Sequence, residues 1–157
     1  MAITKLMTMT QGSDTIVVRM FDDQATFAPY FLQSSGLGPC IALGAIYKNE
    51  GRMIHVPADG KINTFLQQIK NESREIRLYI AGAGLEDELC REDLLLFRQK
   101  TLDKIATAGL AKQLRCVQWA RGKSTQWLRL NLQENDAIYA EHFDEEPRDR
   151  IKYRIVR

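Results

Sequence analysis

The chain has 157 residues, of which 45% are apolar and 27% charged, with a formal charge of +2. That length fits one domain around one core, and that balance excludes a disordered or fibrous chain. With Lys and Arg scattered among Asp and Glu, there is no electrostatic footprint for nucleic acid.

Taken in order, residues 1–13 are polar and rich in Met and Thr, and are expected to be loosely ordered at the start of a single domain over 1–157. They contain no apolar h-region of a secretory signal, and no later run approaches the roughly 20 residues that span a bilayer. The expected compartment is the cytoplasm, without membrane insertion. Residues 15–21, Thr-Ile-Val-Val-Arg-Met-Phe, read as a strand, and residues 22–39 as a loop ending in Ser34-Ser35-Gly36-Leu37-Gly38-Pro39. Cys40–Tyr47 is an apolar run of strand length. Asn49-Glu50-Gly51 then reads as a hairpin turn into a strand over Arg52–Val56.

The period changes next. Ile62, Phe65, Leu66 and Ile69 fall on one helical face, with Asp59 as a candidate cap. Residues 75–80 alternate as a strand and lead into Ala81-Gly82-Ala83-Gly84. That turn lacks the Lys-Ser/Thr of a phosphate loop. A second helix is expected over about 92–108, with Leu94, Leu95, Leu102 and Ile105 inward and Gly109 as its C-terminal cap. Strands are expected at Leu114–Trp119, Thr125–Leu132 and Ala137–His142, with turns at 121–123 and 133–136. Trp119 and Trp127 read as core or hairpin partners. The basic tail 148–157 reads as a solvated last strand or tail. This order predicts an α+β layered sandwich and not a doubly wound parallel sheet.

The three cysteines, Cys40, Cys90 and Cys116, are too widely spaced for a disulfide framework or a zinc cluster, so free thiols and no metal are expected. The one segment with chemical promise is Gly36-Leu37-Gly38-Pro39-Cys40. Glycines let the backbone approach a ligand, and a cysteine between such a turn and a strand offers a nucleophile with its own N–H as an oxyanion donor. Its thiol needs a base, and His55 lies on the next strand across a short hairpin. By themselves the two residues read first as a buried thiol and a structural histidine, since free cysteine is among the most buried residue types. His142, among Glu141, Asp144, Glu145 and Glu146, reads as a surface residue.

Several segments together resemble the chemoreceptor glutamine deamidase (CheD) family of bacterial chemotaxis. Gly36-Leu37-Gly38-Pro39-Cys40-Ile41-Ala42-Leu43 is similar to that family's Gly-Leu-Gly-Ser-Cys-Val-Ala-Val turn, with Pro39 in place of serine. Met53-Ile54-His55-Val56-Pro57 resembles its Ala-His strand followed by Leu-Pro. Tyr79-Ile80-Ala81-Gly82-Ala83-Gly84 resembles its Ile-Ala-Gly-Gly-Ala turn. Residues 121–123 and 128–132 sit where the family has a Gly-Asn-Arg-type turn and terminal strands. The resemblance covers about residues 15–140.

It implies a layered α/β/β/α sandwich, a core shared with deamidase toxins of the cytotoxic necrotizing factor type, and a triad without cofactor. In that triad Cys40 is nucleophile, His55 base and Ser34 the hydroxyl that orients it, where the family has threonine. Gly36, Gly38 and Pro39 form the substrate-side turn. The implied reaction is hydrolysis of a protein-bound glutamine to glutamate on a chemoreceptor-like or other signalling protein. The alternatives are a hydrolase with another amide or ester substrate, and a catalytically silent adaptor.

Overall fold

The computed structural model describes residues 14–58, 60–72, 74–84, 91–120 and 124–143, with the backbone of short strands at 2–3 and 152–156. The strands are β1 (Ala2–Ile3), β2 (Thr15–Val17), β3 (Asp23–Phe27), β4 (Phe31–Ser35), β5 (Ile41–Tyr47), β6 (Glu50–Val56), β7 (Arg77–Gly82), β8 (Leu114–Trp119), β9 (Ser124–Asn131), β10 (Asp136–Phe143) and β11 (Lys152–Val156). The helices are α1 (Asn63–Lys70), between β6 and β7, and α2 (Arg91–Thr107), between β7 and β8. One sheet runs β1-β11-β10-β9-β4-β2 and the other β3-β6-β5-β7-β8.

The apolar run of β5 follows from burial on both of its faces. Ile41, Leu43 and Ala45 point into a core shared with Phe65, Leu66 and Ile69 of α1 and Leu94, Phe97 and Ile105 of α2. Ala42 and Ile46 point the other way, into a core between the sheets with Met53, Tyr79, Leu32, Leu128 and Leu130. A central strand sandwiched in this manner reads as continuously hydrophobic.

Among the described residues the protein is mixed α+β, with two sheets and two α-helices. Both of these helices contribute to the core on one face of the five-stranded sheet. Several local expectations need correction. Residues 22–39 are not a continuous loop, because β3 and β4 lie within them. β3 is almost wholly exposed, which left no apolar alternation to read. The strand expected over 15–21 ends at Val17, and Met20 and Phe21 form a turn.

The β5–β6 hairpin turns on Lys48-Asn49, one residue earlier than expected, since Tyr47 pairs with Glu50. Lys48 and Asn49 have φ of 38° and 62°, the left-handed pair that matches strand twist in a two-residue loop. The second helix ends as expected, with the Gly109 N–H donating to Ala106 O at 2.9 Å and that of Leu110 to Ile105 O at 3.0 Å. Asp59, Cys90 and the 121–123 turn lie outside the described residues. Among the described residues no helix is long and apolar enough to cross a membrane.

Candidate active site

The β5–β6 ladder sets the relation between Cys40 and His55. Ala42 faces His55 and Ile41 faces Val56. Paired residues share a face, so His55 lies on the inter-sheet side of β6 with Ala42. Cys40 sits in the bend one residue before β5, just beyond the Ile41–Val56 pair. Ser34 reaches the same place from the other sheet, through β4. The sequence resemblance implied these three residues, and the two-sheet packing brings Ser34 into direct contact with His55.

The Ser34 Oγ lies 2.8 Å from His55 Nδ1 and 2.7 Å from the carbonyl oxygen of Val18. A hydroxyl has one hydrogen, and a carbonyl can only accept. Ser34 therefore donates to Val18 and accepts from His55 Nδ1–H. The tautomer that follows carries a lone pair on Nε2, and Nε2 is buried with no hydrogen-bond partner. An unsatisfied buried nitrogen costs about 1–3 kcal/mol. Here it is the atom that a general base would use. Burial lowers the His55 pKa below its ordinary 6.5, opposed by the Val18 carbonyl and the charge of Asp22, so the ring rests neutral near pH 7.

Cys40 is not at an open strand end, as the sequence suggested, but only 7% exposed. Its thiol meets the Met20 thioether, with Sγ 3.8 Å from Sδ, and makes no hydrogen bond to His55. Desolvation raises its pKa above the ordinary 9.0. Near pH 7 the resting pair is consequently a neutral thiol and a neutral imidazole.

The turn carrying Cys40 is held from behind. The Ala83 N–H donates to Cys40 O at 2.8 Å, and the Gly84 N–H to Gly38 O at 2.6 Å. Gly82 has φ of 115°, and a Cβ there would collide with the Cys40 carbonyl oxygen. The 81–84 segment is thus a clamp for the Cys40 turn, a role the sequence did not reveal. Gly36, at φ 67°, reverses the chain so that Leu37 is fully buried in the inter-sheet core. Pro39 lies in the bend before Cys40.

Sequence reading also missed Met20 and the Val18 carbonyl, because residues 15–21 looked like one uninterrupted strand. Of the other candidates, Cys116 is half-buried in β8 and His142 half-buried in β10, each with partners of its own. Trp119 packs at the edge of the helix-side core beneath the Arg98 guanidinium, which lies 5.3 Å from its ring. Among the described residues no group of three His, Cys, Asp or Glu side chains is placed to hold a metal ion.

The fold and site define a two-sheet α+β protein with a hydroxyl–imidazole pair beside a buried thiol. No family model matches the chain, and no curated protein matches it.

Proposed function

We propose that the protein is a cysteine hydrolase of the chemoreceptor glutamine deamidase type, with Cys40 as nucleophile, His55 as base and Ser34 as the residue that orients the base. The observation that carries this reading is the Ser34–His55 bond, which leaves an unpaired Nε2 lone pair on the strand that pairs with β5, directly after Cys40. The α+β architecture with two packed sheets is compatible with that family's layered core.

In the proposed reaction His55 Nε2 takes the Cys40 proton as Sγ attacks the carboxamide carbon of a protein-bound glutamine. The Cys40 N–H supports the developing oxyanion. Imidazolium returns the proton to the leaving nitrogen, ammonia departs, and water hydrolyses the thioester to glutamate. Asp22, whose charge favours protonated His55, steadies the imidazolium between these steps. The substrate is a signalling protein in the cytoplasm, and no cofactor takes part.

The Met20 cover and the missing thiol–imidazole bond favour one second reading, a catalytically silent relative that serves as an adaptor. Labelling with chloroacetamide separates the two. In a hydrolase, His55→Ala slows labelling at Cys40 and leaves Cys116 unchanged. A Cys40 rate unchanged by His55→Ala overturns the enzymatic reading. Mass spectrometry of candidate signalling proteins then looks for Cys40-dependent conversion of glutamine to glutamate. Release of another group from an amide or ester substitutes a different substrate class.

A further inference from the structure

The contact between Cys40 and Met20 is built by the backbone around it. β3 is antiparallel to β6, with Asp23 opposite Ile54. Beyond that pair the ladder continues irregularly: the His55 N–H donates to Asp22 O at 3.3 Å, and the Phe21 N–H donates to His55 O at 2.7 Å. Two residues, Phe21 and Asp22, thus face one, which is a bulge. Phe21 has φ of 71°, an outlying conformation for a bulky side chain. The turn before the bulge is closed twice, by Asp22 N–H to Arg19 O at 2.8 Å and Arg19 N–H to the Asp22 carboxylate at 3.1 Å. Phe21 is 73% exposed and Met20 50% exposed, so little packing of their side chains stabilises the strained turn. Bulges beside functional sites commonly re-aim a side chain, and this one aims Met20 at the Cys40 sulfur.

The length of that side chain is informative. In methionine the sulfur is the third atom from Cα, and in glutamine the third atom is the carboxamide carbon. Met20 therefore holds its sulfur where the electrophilic carbon of a glutamine lies when delivered along the same path. The observed separation of 3.8 Å is slightly longer than the roughly 3–3.5 Å of a near-attack geometry. Asparagine on the same path falls one methylene short.

We propose that Met20 is the stopper of the Cys40 site and its specificity gauge, a side chain that a substrate glutamine must displace and whose route and depth it then takes. The proposal rests on the cysteine-hydrolase reading for its chemistry, but not for the cover itself. Displacing Met20 frees the S–H of Cys40 from the thioether, so that it turns to the unpaired Nε2 of His55. Closed, the site keeps the thiol away from small electrophiles. Open, it selects an unbranched side chain with its reactive carbon third from Cα.

Four substitutions at Met20 in the full chain test this. Met20→Ala is expected to raise chloroacetamide labelling of Cys40 roughly tenfold while Cys116 is unchanged, because the site no longer waits for the cover to open. Met20→Leu fills similar space and is expected to stay near the wild-type rate. Met20→Gln places a carboxamide in the stopper's position. Attack by Sγ then forms the S–C bond and breaks the C–N bond, releasing ammonia. Water next breaks the S–C bond, leaving glutamate at position 20 and a restored thiol. Mass spectrometry reads that conversion, which is expected to vanish with Cys40→Ala and to be absent in Met20→Asn.

If Met20→Ala labels no faster than wild type, the stopper is overturned, whatever His55 does. If Met20→Ala labels faster yet Met20→Gln stays an amide, the length gauge is overturned. If labelling in Met20→Ala is indifferent to His55→Ala, the hydrolase reading fails while the cover stands.

Discussion

Ser34→Ala is the most direct test of how the His55 imidazole is oriented. Ser34 is fully buried and makes two bonds, donating to Val18 O at 2.7 Å and accepting from His55 Nδ1 at 2.8 Å. A neutral hydrogen bond contributes about 1 kcal/mol net, and each buried group left unpaired costs about 1–3 kcal/mol. If both the carbonyl and Nδ1–H were stranded, the loss would reach about 6 kcal/mol on those figures. The two are, however, a donor and an acceptor that shared one hydroxyl, so partial closure of the ring onto Val18 recovers part of it. The expected destabilisation is about 2–3 kcal/mol, read by urea unfolding against wild type. Nitrogen NMR of the imidazole in the folded wild type is expected to show the proton on Nδ1. Ser34→Thr, which keeps the hydroxyl, is expected to preserve that tautomer at a modest packing cost. A wild-type ring protonated on Nε2, or a Ser34→Ala penalty under about 0.5 kcal/mol, refutes the argument.

Other outcomes follow from the same geometry. Because burial raises the Cys40 pKa above 9.0, its alkylation rate should keep climbing as pH passes 9.0, and a plateau near neutrality would contradict the neutral resting pair. Burial lowers the His55 pKa, so between that folded value and 6.5 the unfolded chain binds more protons; stability should rise with pH through this window and level off above it. His55→Gln should flatten that slope in chemical-denaturation curves taken across the window. Gly82→Ala forces a Cβ onto the Cys40 carbonyl at a φ of 115°, and should cost about 2–4 kcal/mol in thermal or urea unfolding. A Gly82→Ala variant as stable as wild type would show that the turn is not clamped as described.

The clearest elements in the sequence were those with strong periodicity. The helical face of Ile62, Phe65, Leu66 and Ile69 places α1, and the apolar run after Cys40 places β5, because burial demands were written into consecutive residues. Gly109 marked the end of α2 because only a left-handed residue fits there. β3 could not be read: an exposed edge strand of Asp, Gln, Ala, Thr and Phe is held by its partner β6 and not by its own pattern. The one-residue misplacement of the β5–β6 turn had the same origin, since Asn49 is fixed by contacts to Leu132 and Asn135 far along the chain.

The candidate site divides along the same line. Residue types and spacing raised Cys40 and His55 as a candidate pair beside a bland reading of each, and the family resemblance implied Ser34. Only the packing of two sheets decided that the Ser34 hydroxyl is spent on Val18 and so orients the imidazole, and that the sulfur is covered by Met20. Those facts depend on atoms 16 to 21 residues apart meeting across a buried layer. Sequence carries short-range pattern directly, whereas the proton's position and the cover over the thiol arise from long-range contacts that exist only once the core has closed.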